Sequence, residues 1–366
     1  MLIETIKDIW QGDLAIRVAK RPRDSNPGGA PNLVEGEMDI PGIEEKVAFL
    51  SRPDVYQDRT RSVVTRETHL SWVFLTDAQA WKLKKPVRYE YFDFTTPEAR
   101  RRNCEEELRL NRFLAPGVYL GVTSLTLDAP GELRLAGNGI PIDWLVRMRR
   151  LPGARMLDIA IAERTVNESE IRKVGELLAR FYKNSPPVAI SPAGYRNHLC
   201  TLVLVNRQEL AKPEYGLPTE SLESVFRTQL RLLREEPGLF DDRVRAGRII
   251  EAHGDLRPEH ICLGSEPVII DRLEFNRSFR VLDAASDLSL LALECERSGA
   301  PWINEIILDT YREITGDQPP ERLLAFYKSY HACLRARIAV CRLKDHGITD
   351  WTKWTGRARR YLQLVT

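Results

Sequence analysis

Apolar positions along this chain change their period near residue 150. Before that point they mostly recur at two-residue spacing. ETHLSWVFLTDAQAWKLKKPV predicts two strands joined by a tight turn near Thr76–Asp77, with β-branched and aromatic residues on both sides. VYLGVTSLTLD and IDWLVRMRRL predict two more around a Gly/Pro-rich turn. One helix interrupts them, TTPEARRRNCEEELRLNRFLAP, with Thr96 as N-cap, Pro97 at the first helical position and Pro116 just beyond the end. Two short helices come earlier. One repeats Ile3, Ile6, Ile9 and Trp10 at helical spacing, the other is IEEKVAFL, and residues 20–37 between them read as a linker rich in Pro, Gly and charge.

From Met156 onward the period is helical. IRKVGELLARFY places Ile171, Val174, Leu177, Leu178 and Phe181 on one face. ERLLAFYKSYHACLRARIAVCRL does the same with Leu323, Tyr327, Tyr330, Leu334, Ile338 and Cys341. A loop, a short apolar strand (Val268–Ile270) and a second loop break this half. The pattern predicts an α+β, bilobal protein. Residues 1–42 form an N-terminal helix and flexible linker, 43–150 a small β-rich lobe, and 151–366 a larger helical lobe.

Composition narrows the class. The chain has 366 residues, 43% hydrophobic and 29% charged, which is ordinary for a globular protein. A net charge of +2 gives no global case for nucleic-acid or membrane partners. The basic runs RRR and RMRR read as solvated or nucleotide-proximal. Six cysteines lack CxxC or zinc-ligand spacing and read as reduced thiols. With Glu4, Lys7 and Asp8 breaking any apolar leader and no run of about 20 apolar residues, a cytoplasmic location is expected. Oligomeric state leaves no mark in the sequence.

The chemistry concentrates in HGDLRPEHICLGSEPVIIDRLEFN. Phosphoryl transfer needs a carboxylate on the attacking hydroxyl, ligands for a metal on the phosphates, and a lysine beside them. The kinase signature spaces base and metal ligand as D-x-x-x-x-N, followed by a strand ending in a metal-binding Asp. Asp255 stands at the base position, His260 at the Asn position, and Asp271 follows the apolar strand.

HGDLRPEHI, the IID at 269–271 and RVLDAASDLSLL resemble the aminoglycoside phosphotransferase family, within the protein-kinase-like fold. ETHLSWVFL, AWKLKKPV, CEEELRLN and LDAASDL are similar to a bacterial branch with members fused to a C-terminal P-loop ATPase domain. The resemblance covers roughly residues 44–365. No G-x-x-x-x-G-K-[ST] occurs, so no such second domain is expected.

The resemblance implies an ATP-dependent transfer of phosphate to a small-molecule hydroxyl, with the nucleotide between the lobes. Asp255 would be the catalytic base and Asp271 the Mg2+ ligand. Lys82 or Lys84 would meet the phosphates; alternation puts both on one strand face, with Lys82 the preferred candidate. Glu107, inward with Leu110 and Leu114, would pair with that lysine, while Glu105 and Glu106 stay solvated. Met148 would lie near the adenine, and Asp287 would support the catalytic loop. Glu274 and Arg280 are near enough to line the cleft.

Two departures stand out. THLSW, at the phosphate-covering loop, has no glycine, leaving the Ser71 hydroxyl and backbone N–H as phosphate donors. His260 replaces an amide oxygen suited to Mg2+ with a nitrogen suited better to Mn2+, iron or zinc. The alternatives are a pseudokinase that binds nucleotide without turnover, and a metallohydrolase built on His253, Asp255, His260 and Asp271. The second leaves the KLKK strand and Glu107 unexplained.

Overall fold

The computed structural model describes residues 40–89, 91–128, 131–344 and 350–366. The expected first helix and the 20–37 linker lie outside the described residues. The chain divides into two compact units. The first runs up to Arg112 and includes Pro116–Arg150; the second comprises Phe113–Ala115 and Leu151–Thr366.

The first unit is built on an antiparallel sheet of order β1-β2-β3-β8-β6-β7. Its strands are β1 (Val64–Glu67), β2 (Ser71–Leu75), β3 (Gln79–Lys84), β6 (Tyr119–Asp128), β7 (Glu132–Leu135) and β8 (Ile140–Arg149). A small separate hairpin, β4 (Arg88–Tyr89) with β5 (Phe92–Asp93), follows β3. Alternation in β3 sends Trp81 and Leu83 into a core with Leu50, Phe74, Leu125 and Leu145. Lys82 and Lys84 therefore share the other face.

Helix α1 (Ile43–Leu50) and helix α2 (Pro97–Asn111) accompany this sheet. The Thr96 hydroxyl caps α2 by accepting the Ala99 N–H at 3.2 Å. A buried ionic knot fastens both helices to β8. Asp143 accepts from Lys46 at 2.8 Å and from Arg100 at 2.6 and 2.9 Å.

The second unit is mainly helical. It contains α3 (Leu157–Ala162), α4 (Glu168–Asn184), α5 (Pro192–Leu210), α6 (Thr219–Glu235), α7 (Gly238–Arg245), α8 (Ala284–Arg297), α9 (Trp302–Thr315), α10 (Glu321–Cys341) and α11 (Trp351–Leu362). Two short antiparallel ladders sit among them. They are β9 (Ile249–Glu251) with β12 (Val281–Asp283), and β10 (Ile261–Cys262) with β11 (Val268–Ile269). Among the described residues no helix is long and apolar enough to cross a membrane.

The expected face of α4 is buried, with Ile171, Val174, Leu178 and Phe181 in the core. The expected face of α10 is only half right. Leu323, Tyr327 and Tyr330 are buried, but the stripe continues through Cys333, Ala336 and Val340, leaving Ile338 exposed. Small residues (Ala332, Ala336, Ala339) let α10 be packed on more than one side, so burial there follows close approach rather than hydrophobicity. This turn also carries Arg335 into the interior.

The ionic knot yields a stability prediction. Asp143→Ala leaves two buried cations without their shared partner, and should cost about 3–5 kcal/mol in urea or guanidinium unfolding. Glu105→Ala, on the exposed face of α2, should change stability by less than about 0.5 kcal/mol.

Candidate active site

The HGD loop leaves β9 and returns to β10 through a 3-10 turn at Pro258–His260. Gly254 holds φ 84°, and a Cβ there would meet Arg280, Leu273 and the Phe279 carbonyl at 3.1–3.2 Å. Both its conformation and its surroundings therefore call for glycine. The Asp287 carboxylate, on α8, accepts the His253 N–H at 2.9 Å and the Gly254 N–H at 3.0 Å. The Tyr182 hydroxyl adds a third donor at 3.0 Å. Burial pushes the Asp287 pKa up to about 6 against these donors. Asp287 thus supports the loop from beneath, the place the resemblance implied.

His253 has both ring nitrogens engaged. Nδ1 accepts the Asp255 N–H at 3.3 Å and Nε2 lies 3.0 Å from the Ile270 carbonyl, an arrangement that fits the neutral Nε2–H tautomer. Burial lowers its pKa to about 3. His253 is therefore part of the scaffold and has no free nitrogen for a metal. Among the described residues no group of three or more His, Cys, Asp or Glu could hold a metal ion.

Asp255 presents its carboxylate at the loop surface, 31% exposed. Its Oδ2 lies 2.9 Å from Arg257 Nη2, while Oδ1 faces Arg335 Nη1 at 3.9 Å. Burial raises its pKa, but Arg257, His260 and Arg335 together outweigh that and leave it below the ordinary carboxylate value.

His260 is buried, with Nδ1 2.8 Å from the Asp255 carbonyl oxygen. That contact places the proton of the neutral ring on Nδ1 and leaves the Nε2 lone pair to accept from Arg257 Nη2. Nε2 stands 3.5 Å from Asp271 Oδ2 and 3.2 Å from Arg257 Nη2. Asp271 follows the strand as expected, though β11 ends one residue earlier, at Ile269. Its φ of 63° is the left-handed region, uncommon for a residue with a Cβ.

Sequence reasoning missed the arginines around Asp255. Arg257 pairs with Glu259 as well as Asp255. Arg335 comes from α10, far along the chain, and is tied to the buried Glu294 of α8 at 2.8 Å. The Tyr361 hydroxyl of α11 donates to the same Glu294 at 2.8 Å. Nothing in the sequence sets Arg335 apart from its neighbour Arg337 two residues on.

In the first unit, β3 aims two lysines at one carboxylate. Lys82 Nζ lies 3.0 Å from Glu107 Oε1, and Lys84 Nζ binds Oε2 of the same group. Glu107 and Lys84 are buried, and the Lys82 side chain keeps 14% exposure. Ser71 pairs opposite Lys84 in the sheet. Its N–H is taken by the Thr68 hydroxyl at 3.0 Å, and its own buried hydroxyl has no hydrogen-bond partner. Of the two donors expected from Ser71, only the hydroxyl is uncommitted. Met148 is buried on β8, opposite Ala80 and Tyr119. Glu274 lies in the loop after Asp271. Arg280 is buried, 3.1 Å from Glu251, and so belongs to the scaffold under the loop.

Solved structures share this architecture. A choline/ethanolamine kinase family protein from Mesorhizobium loti aligns with a TM-score of 0.51 and 15% identity, over 87% of this chain and 93% of that one. The GDP and kanamycin complex of the aminoglycoside phosphotransferase APH(2")-IIia aligns with a TM-score of 0.51 and 14% identity, over 87% and 97%. The chain has the protein-kinase-like fold of the aminoglycoside phosphotransferases. No family model matches it. Uncharacterized proteins of Mycobacterium bovis and Mycobacterium tuberculosis are 29% identical over 309 residues, 82% of this chain. The chain spans about 60% of the length of these curated relatives.

In a protein-kinase-like fold the metal takes part of its shell from phosphates and water. A two-donor set, the Asp271 carboxylate and His260 Nε2 once Arg257 turns away from it, fits an ion held in that shared way. It does not fit a metal caged by protein alone.

The buried histidines predict a pH dependence. His331, on α10, has Nε2 2.9 Å from the Ser286 carbonyl, and burial lowers its pKa to about 4. Unfolded histidine titrates near roughly 6.5. Its contribution to stability is therefore complete above that pH and is lost as pH falls toward about 4, by on the order of 3 kcal/mol. His253 acts in the same sense. Asp287, raised to about 6, acts oppositely between about 6 and 4. The measurement is thus a difference: His331→Gln should flatten the acid slope of unfolding free energy relative to wild type between pH 6.5 and 4.

Proposed function

We propose that the chain is an ATP-dependent phosphotransferase acting on a small-molecule hydroxyl. The observation that carries this reading is the Asp255 loop, with Asp287 fixing its amides and an outward Oδ1 on the base. In this reading Asp255 receives the proton of the attacking hydroxyl, a role that asks only for an ionised, positioned carboxylate. Lys82, the more exposed of the two lysines, meets the nucleotide phosphates, and Glu107 orients it. Lys84, buried on the same carboxylate, keeps Glu107 in place. Asp271 and His260 would hold Mg2+ or Mn2+, which when bound neutralises charge on the transferred phosphoryl group.

A second reading has support of its own. Arg257 beside Asp255, and a phosphate loop whose Ser71 N–H is already spent, favour a nucleotide-binding pseudokinase with little turnover.

Turnover of ATP and GTP, measured with Mg2+ and Mn2+ in parallel against pooled hydroxyl metabolites, separates the two. Asp255→Asn should keep the nucleotide-dependent rise in melting temperature and lower transfer by about 10²–10⁴-fold. Lys82→Ala should abolish that rise, which for wild type corresponds to about 2.7 kcal/mol at a hundredfold excess over Kd. Equal transfer by wild type and Asp255→Asn would remove the proposed mechanism. His260→Asn should shift the metal preference from Mn2+ toward Mg2+, and an unchanged ratio in a folded variant would take His260 out of the metal site.

A further inference from the structure

The Asp255 carboxylate has two unlike oxygens. Oδ2 is engaged by Arg257 at 2.9 Å. Among the described residues no hydrogen bond reaches Oδ1, and Arg335 Nη1 faces it at 3.9 Å. That gap is too long for a direct hydrogen bond and suits an oxygen-bearing group that touches both sides.

Arg335 is not an incidental neighbour. Its side chain is only 9% exposed, and a buried cation requires a fixed counter-charge. Glu294 supplies it at 2.8 Å, itself held by Arg297 at 2.8 Å and the Tyr361 hydroxyl. Glu294 thus balances the charge of the guanidinium from its Nε side, without a hydrogen bond to Nε, and Nη1 is turned toward Asp255. Three helices, α8, α10 and α11, thereby hold one donor beside the oxygen that would take the acceptor's proton.

We infer that Arg335 is an acceptor-binding residue, and that the acceptor is a polyhydroxy compound with a second oxygen next to the reacting hydroxyl and no ammonium group beside it. This rests on the phosphotransferase reading above. The reacting hydroxyl donates to Asp255 Oδ1, and the adjacent oxygen accepts from Arg335 Nη1. In the transfer, the hydroxyl oxygen bonds to the γ-phosphorus of ATP as the bond from that phosphorus to the bridging oxygen breaks. The proton passes to Asp255 and ADP leaves. An ammonium group at the neighbouring position would instead face two guanidinium groups, Arg335 and Arg257. Like charge there disfavours amino alcohols and aminoglycosides.

The test presents the full chain and labelled ATP, with Mg2+ or Mn2+, to myo-inositol, D-ribose, D-glucose and glycerol on one side. Choline, ethanolamine and kanamycin stand on the other. The expected result is transfer to at least one polyol. Arg335→Gln should raise KM for that polyol about tenfold or more, leave KM for ATP unchanged, and be partly rescued by Arg335→Lys. A deoxy analogue lacking the adjacent oxygen should be equally poor with wild type and Arg335→Gln. If Arg335→Gln does not fold, Arg335→Lys carries the same comparison through the KM ratio of polyol to deoxy analogue. Transfer confined to choline, ethanolamine or kanamycin overturns the inference and leaves the phosphotransferase standing. An unchanged polyol KM in Arg335→Gln does the same, whereas ATP consumption that yields only inorganic phosphate with every compound overturns the inference and gives the phosphotransferase no support. No ATP consumption with either metal overturns the proposed function, and this inference with it.

Discussion

The HGD loop depends on one buried carboxylate. Asp287 accepts two successive backbone N–H groups, from His253 and Gly254, at the point where the chain must turn sharply. Those amides point away from either short ladder, and without an acceptor they would be buried donors left unpaired, at a cost of about 1–3 kcal/mol each. Asp287 meets both with one side chain and is itself steadied by Tyr182. Its placement on the first turn of α8, directly after β12, fixes the loop to the same ladder from which the loop departs. The position of Asp255 follows from that anchorage.

Around this anchor the histidines divide between scaffold and surface. His253 spends both nitrogens on the backbone, bracing the loop against the strand that leads to Asp271. His260 donates from Nδ1 to the Asp255 carbonyl and accepts from Arg257 Nη2 at Nε2. An asparagine could make the same backbone contact through its amide N–H and would turn an oxygen outward where the imidazole turns a nitrogen. The imidazole thus closes the turn and ties Arg257 to it, with Nε2 3.5 Å from Asp271 Oδ2.

The architecture was legible because it is written in local periods. The two-residue alternation around Lys82 and Lys84, the Thr96–Pro97 start of α2 and the inward turn of Glu107 are short-range properties, and the structure carries all three. The short strands β1, β4, β5, β7, β9, β10 and β12 were not read. Their two to four residues fall below the length at which alternation is distinguishable from chance. The lower half of α10 was misassigned for a different reason. Period identifies a face only when packing is one-sided, and here alanines allow burial where leucine and isoleucine were expected to provide it. The contiguous HGD motif could be singled out from the chain, whereas Arg335 and Glu294 could not. Their relation to Asp255 exists only after α8 and α10 have packed.

Those unread residues share a logic with the ones that were read. In the first unit one glutamate meets two lysines, Lys84 fully buried and Lys82 partly open. In the second, Glu294 meets Arg335 and Arg297, with Arg335 the more buried of the two. A buried carboxylate with a single cation would lose that partner's charge whenever the cation moved to a substrate, and the cost of an unpaired buried charge would oppose binding. A second cation removes that penalty. In the proposed function, Glu107 could release Lys82 because Lys84 remains, and Glu294 would stay compensated by Arg297 and Tyr361 if Arg335 turned to an incoming oxygen. Doubling the partners of a buried acid lets a charged side chain be both held in place and available.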